Sequence, residues 1–191
     1  MIGGYREKSG MAEIPTIGKE FSWSSSKQEY APKKTIDGIR IIEGKVSVGE
    51  DGFLVEEARF TAEGKLEAFP ELGQVRQVND AVNEPGTRKA WHYHLEQDEV
   101  FYIPPDSKLI VGLMDLRVNS PTNSMTMRLI LGGGKAHFMF VPRGVAHGFS
   151  NPYERPMRVS YFINNQFNGI DEWRLPYDFK VGKEFWEMQK G

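Results

Sequence analysis

Through most of the chain, apolar residues alternate with polar ones in short runs, and no extended helical period competes with them. Runs rich in β-branched and aromatic residues occur at 39–48 (IRIIEGKVSV), 53–60 (FLVEEARF), 73–82 (GQVRQVNDAV), 88–95 (RKAWHYHL) and 99–103 (EVFYI). Others follow at 108–117 (KLIVGLMDLR), 125–131 (MTMRLIL), 136–141 (AHFMFV) and 157–163 (MRVSYFI). Each predicts a strand. Between them lie GEDG, NEPG, PPD, NSPTNS, GGGK, PRG and NPYERP, where glycine supplies positive φ and proline presets φ for chain reversal. Many short strands with few helical stretches predict an all-β fold, an antiparallel sandwich or barrel. A double-sheet jelly roll closes most of its own edges and holds a pocket between its sheets. Residues 1–34 lack periodicity and predict an irregular arm, and the closing YDFKVGKEFWEMQKG predicts a short helical segment.

The period of two also assigns faces. His92 and His94 share one face of their strand, opposite Trp91, Tyr93 and Leu95, and Val159, Tyr161 and Ile163 share a face of theirs. Two of the chain's four histidines therefore point the same way from one short strand. Such a face suits a metal site, proton chemistry or a polar pocket wall. A length of 191 residues predicts one domain spanning 1–191, able to bury a core without staples. The chain has no cysteine, so disulfides, zinc thiolates and thiol nucleophiles are excluded. Net charge is -2 with mixed signs along the chain, which gives no reason to expect nucleic acid or an anionic membrane as partner. No apolar run reaches bilayer length, and the polar, glycine-rich start has no signal-type core, so a cytoplasmic protein is expected.

The histidine strand belongs to a longer pattern. Gly86 precedes His92 by five intervening residues, His94 follows, then Glu99, and later Pro142, Gly144, His147 and Asn151. This spacing resembles the metal-binding double motif of the cupin superfamily, whose fold is the double-stranded β-helix. On that resemblance His92, His94, Glu99 and His147 are candidate ligands, since imidazoles and one carboxylate hold a divalent transition metal and leave positions open. The alternative is a metal-free polar pocket in which Glu99 pairs with a lysine or arginine. Two glycines of the motif are missing, one after Glu99, where PPD stands, and one replaced by Ala136.

A second likeness spans about 36–186. VRQVN (75–79), KAWHYH (89–94), MDLRVNSPT (114–122), VPRGVAHGFS (141–150) and VSYFINNQFN (159–168) resemble, in order, stretches of the dTDP-4-dehydrorhamnose 3,5-epimerase family. That family is cupin-type and acts on nucleotide-linked 4-keto sugars. The resemblance implies that no cofactor is needed, with His92 as general base and Tyr161 as general acid, while the edge strands such a fold leaves open predict a homodimer. It sets His147, Gln77, Asn79 and Lys89 near the substrate. The carboxylate orienting the base falls on Asp178, or on Asp171 across Trp173. The chemistry is coherent: a proton beside a ketone can be taken by a positioned imidazole, and a phenol on the opposite face returns one.

The chain also departs from that family. Glu99 stands where the family has a lysine to steady the enolate, Lys89 where it has arginine, Asp51 where it has another arginine, and His94 where it has glutamine. A metal at that site would supply the missing electrophile, yet as a ligand His92 could not also be a free base. The expected activity is epimerisation of a nucleotide-linked 4-keto-6-deoxy sugar. Two other classes are a metal-dependent cupin, either dioxygenase or isomerase, and a non-catalytic sugar-binding cupin. His137, Trp91, Trp186 and Arg117 are expected in structural roles.

Overall fold

The computed structural model describes residues 15–22, 25 and 34–189. Two units are distinguished, one ending at Lys34 and the other beginning at Thr35. Most of the expected N-terminal arm lies outside the described residues. Within its described part, Lys19–Ser22 forms one helical turn, closed by hydrogen bonds from the Phe21 and Ser22 amides to the Gly18 carbonyl.

The second unit is built of β-strands. In chain order they are β1 (Arg40–Gly44), β2 (Val46–Gly49), β3 (Gly52–Val55), β4 (Gln77–Asn83), β5 (Arg88–Tyr93) and β6 (Glu99–Ile103). There follow β7 (Lys108–Asp115), β8 (Thr126–Gly132), β9 (Ala136–Val141), β10 (Val145–Ser150), β11 (Met157–Ile163) and β12 (Trp173–Arg174). One five-stranded sheet runs β1-β9-β6-β11-β4 and a second runs β12-β5-β10-β7-β8, with β2 and β3 as a separate hairpin. Every ladder is antiparallel. This is the expected jelly roll. The run at 39–48 divides at Lys45, where the chain leaves the first sheet for the hairpin.

Central strands are buried on both faces, which explains why β6 and β7 read as apolar runs rather than clean alternations. Phe101, Ile103, Leu109, Val111 and Leu113 meet Met139, Val145, Phe149 and Val159 in a core fed by both sheets. The opposite face of β6, with Val100 and Tyr102, packs on Leu66, Phe69 and Leu72. Across the other sheet, Ile110 and Met114 of β7 pack with Trp91 and Trp186. Each such fully buried side chain contributes roughly 1.5–3 kcal/mol. The C-terminal segment reaches that last cluster as a single 3-10 turn, Lys183–Trp186, rather than a longer helix. The Trp186 indole meets Trp91 edge-on at 4.8 Å and donates to the Tyr177 carbonyl at 2.7 Å. Gly112 makes room for this stack, because a Cβ there would collide with Trp186, Phe185 and Trp91.

The MDLRVNSPT segment ends β7 and turns the chain toward β8. Asp115 is fully buried and its carboxylate accepts from the Arg117 amide (3.1 Å), Arg117 Nε (2.8 Å) and Nη2 (2.9 Å), Thr122 Oγ1 (2.7 Å) and Ser120 Oγ. Burial alone would raise its pKa, but these donors hold it well below the usual carboxylate range. Arg117 thus makes the structural bridge expected of it.

Strand β10 was not among the runs expected from sequence. It is short and carries His147 and Gly148 where a β-prone run would have branched residues. It is nonetheless a central, wholly buried strand of the second sheet. Gly148 is required by close approach, since a Cβ there would run into Ala90 and the Lys89 carbonyl.

Candidate active site

One cavity gathers most of the candidate residues. Gln77 and Asn79 reach it from β4, Lys89 and His92 from β5, Glu99 from β6, His147 from β10 and Tyr161 from β11, with His94 just beyond β5. His92 and Lys89 are three apart and should face opposite ways on a regular strand. They share the cavity because the β10–β5 ladder changes register: His147 pairs with His92, but Phe149 pairs with Lys89. The extra residue on β5 re-aims the strand between them.

His92 is partly exposed at the cavity wall, with Nδ1 3.9 Å from Glu172 Oε2. That is too long for a hydrogen bond and close enough for attraction. Burial first, and then the Arg174 charge, push its pKa below the ordinary histidine value, against the pull of Glu172. Tyr161 lies edge-on to Phe101 at 5.2 Å, and burial, then Glu99, hold its phenol well above the usual tyrosine range. Gln77 bridges Asn79 (3.0 Å) and the Phe167 amide (2.8 Å), and Lys89 Nζ donates to the Val82 carbonyl at 3.1 Å.

Behind His92 sits a buried trio. His94 Nε2 is 3.5 Å from Glu99 Oε1, and His147 Nε2 is 3.4 Å from Glu99 Oε2. Ligand atoms of all three lie within 4.8 Å of one another. Gln97 donates to Glu99 Oε1, while the buried Oε2 has no hydrogen-bond partner. Burial pushes the Glu99 carboxyl up to about 7, against His94 and the Gln97 hydrogen bond. Burial and the neighbouring His94 and His92 push His147 down to about 3. Among the described residues, His92 is not part of this group; its ring centre is 6.4 Å from that of His147. Of the four candidate ligands expected from the motif, the structure groups His94, Glu99 and His147 and leaves His92 apart.

The expected orienting carboxylate is also corrected. Asp178 lies in the turn after Pro176, its carbonyl accepting from Val181 and Gly182, and it does not line the cavity. Asp171 is buried against the loop after His94, accepting from the Leu95 (2.8 Å) and Glu96 (3.1 Å) amides. The carboxylate beside His92 is Glu172, which sequence reasoning missed. It immediately precedes β12, whose Trp173 and Arg174 pair with Tyr93 and His92. A two-residue strand leaves no periodic signal. Gln97 was missed as well, although it stands two before Glu99 and the period of two would have found it. His137 accepts from the Gly132 amide at 2.8 Å, the structural role expected of it.

A jelly roll whose two sheets enclose a histidine, a tyrosine and a buried carboxylate defines the class as a cupin-type protein with an ionisable pocket. Residues 33–181 match the family model described as dTDP-4-dehydrorhamnose 3,5-epimerase. The chain belongs to that family. It is 32% identical over 145 residues to the spore coat polysaccharide biosynthesis protein SpsL of Bacillus subtilis, covering 75% of this chain and 91% of the relative. It is 27% identical over 156 residues to a probable low-salt glycan biosynthesis epimerase, Agl13, of Haloferax volcanii, covering 81% and 96%. Among solved structures, it resembles a dTDP-6-deoxy-D-glucose-3,5-epimerase from Legionella pneumophila in complex with dTDP-4-keto-L-rhamnose. The TM-score is 0.64 and identity 24%, over 82% of this chain and 84% of that one.

Proposed function

We propose that this chain epimerises a nucleotide-linked 4-keto-6-deoxy sugar, with His92 taking a proton from the carbon beside the ketone and Tyr161 returning one. The observation that carries the reading is placement across the barrel. His92 rises from the second sheet and Tyr161 from the first, and both line one cavity, so a sugar between them meets a different group on each face. A lowered pKa keeps His92 neutral and able to accept at pH 7, and a raised one keeps Tyr161 protonated and able to donate. Glu172 attracts the Nδ1 side of the ring, leaving Nε2 for the substrate. Gln77, Asn79 and Lys89 supply polar contacts along the wall. Removal of the proton gives an enolate; delivery to the opposite face inverts the centre.

The test is proton exchange. With dTDP-4-keto-6-deoxyglucose in heavy water, NMR should show deuterium entering at carbon 3 or 5. His92→Ala should slow that entry by roughly 10²–10⁴-fold. Tyr161→Phe should leave exchange but suppress inversion. No exchange at either carbon, with or without added metal, would sink the reading for this substrate. We also propose one cupin domain acting as a cytoplasmic homodimer. Strand β4 ends its sheet with Val78 and Val82 exposed, an edge a second copy would cover. A monomer mass by light scattering would count against this.

A further inference from the structure

We propose that His94, Glu99 and His147 form a binding site for one divalent transition-metal ion, separate from His92, inside the cavity assigned to the sugar. The inference deepens the epimerase reading and rests on it for its function, though not for its geometry.

The argument starts from which ring nitrogens carry hydrogen. His94 Nδ1 lies 2.7 Å from the Asp171 carbonyl oxygen, and His147 Nδ1 lies 3.2 Å from the Val145 carbonyl oxygen. A carbonyl can only accept, so both Nδ1 atoms donate, and in the neutral imidazole each Nε2 then presents a bare lone pair. Those lone pairs are the atoms facing Glu99, one at each oxygen. Three acceptors thus converge in a buried pocket. Nothing among the described residues donates to Glu99 Oε2, although that oxygen is buried. An unpaired buried carboxylate oxygen is costly. A proton on Glu99 could satisfy only one of the two imidazoles. A cation satisfies all three at once.

The spacing and the supporting contacts agree. Metal bonds of roughly 2.0–2.2 Å imply ligand separations of roughly 3.0–3.5 Å, and the observed pairs are 3.5 and 3.4 Å. Histidine ligands generally donate their other ring nitrogen to a carbonyl or carboxylate, as both do here. Asp171 holds this arrangement twice over, with its carbonyl on His94 and its carboxylate on the two following amides. Two imidazoles and one carboxylate leave coordination positions open, and the side they leave open is the cavity that His92 and Tyr161 also line. A bound ion would supply Lewis acidity where Glu99 replaces the family's lysine. The base and the ligands are then different residues, and the competition for His92 disappears.

The experiment uses the full chain, stripped with chelator and titrated with Co²⁺ by absorption spectroscopy and with Zn²⁺ by calorimetry. One equivalent per chain is expected. Glu99→Gln, and independently His94→Gln, should weaken binding by roughly 100-fold or more, beyond what loss of an outer partner costs. His92→Gln should leave the stoichiometry and the visible Co²⁺ spectrum in place. Absence of stoichiometric uptake by the wild-type chain overturns the site, as does uptake undiminished in Glu99→Gln. Equal loss in His92→Gln overturns the three-ligand assignment. Deuterium exchange run on the same stripped and loaded samples separates the two proposals. Exchange without metal uptake sinks the site alone, and uptake without exchange sinks the epimerase alone.

Discussion

Two buried carboxylates, Glu99 on the first sheet and Asp115 on the second, show how one kind of group is set to opposite purposes. Asp115 accepts five hydrogen bonds from Arg117, Ser120 and Thr122. Glu99 accepts one, from Gln97, and keeps an oxygen with no hydrogen-bond partner. Both are almost fully buried, so exposure does not separate them. What separates them is the supply of donors. Asp115 is held well below the ordinary carboxylate range, whereas Glu99 is pushed up to about 7. A saturated carboxylate stabilises a turn. One left among lone pairs is destabilising by itself, which is the ground for the cation proposed there.

The largest effect should come from breaking the saturated side. Asp115→Ala removes all five acceptor contacts and leaves the Arg117 guanidinium with the Asp37 carbonyl and the Ser120 hydroxyl. Loss of one partner of a buried pair costs about 3–5 kcal/mol. For a chain of this size Tm should fall by roughly 6–20 °C, read by circular dichroism. The pH dependence has a definite sign. Because the folded pKa of Asp115 lies below its unfolded value, its contribution is complete above the unfolded pKa near 3.8 and fades as pH falls through the folded one. Asp115→Ala should therefore lose its deficit against wild type in strong acid. A drop in Tm within error at pH 7 would show that the five contacts carry no net stability, and the contrast with Glu99 would collapse.

Glu99→Gln should act in the opposite direction. In chelator, the wild-type carboxyl prefers to be protonated in the folded state. Stability is then greatest below the unfolded pKa near 4.5 and is lost as pH rises through about 7. The amide cannot ionise, so the variant should be more stable than wild type at pH 8, by on the order of 1–3 kcal/mol. The gain should vanish by pH 4. With saturating Zn²⁺ the order should reverse, because the wild-type chain gains more binding energy than the variant. Thermal melts at two pH values, with and without metal, give all four corners. A variant less stable than wild type in chelator at pH 8 would mean that Glu99 is satisfied in a way the contacts do not reveal.

The same contrast explains what the sequence made legible. Alternation in 88–95, 99–103 and 157–163 was enough to set His92 and His94 on one face and Tyr161 on another strand, because side-chain direction in a strand is local. Resemblance brought His147 into the same pocket. Three things escaped, each for a non-local reason. Strand β10 owes its existence to burial between β5 and β7 rather than to its own propensity. Sharing of the cavity by Lys89 and His92 depends on a register change visible only across the ladder. Glu172 reaches His92 through the two-residue strand β12, too short to leave a pattern, so the sequence points to Asp178 or Asp171 instead. The separation of His92 from the His94, Glu99 and His147 group is non-local too: sharing a face with His94 does not fix which ring reaches Glu99.

Glu172 offers the smallest and most selective test. It is a third carboxylate, partly exposed, 3.9 Å from His92 and outside the His94, Glu99 and His147 group. Its charge raises the His92 pKa against burial and Arg174, so Glu172→Gln should lower that pKa further. A weaker base removes a carbon proton more slowly, and exchange at pH 7 should fall by roughly 3–10-fold. The acid limb of the pH–rate profile should move to lower pH, by under about one unit because the pair is partly solvated and screened by salt. Tm and metal uptake should stay unchanged, with stability within about 0.5 kcal/mol of wild type. If the acid limb stays fixed while metal uptake falls, Glu172 belongs with Glu99 rather than with His92, and the division between base and ligands is wrong.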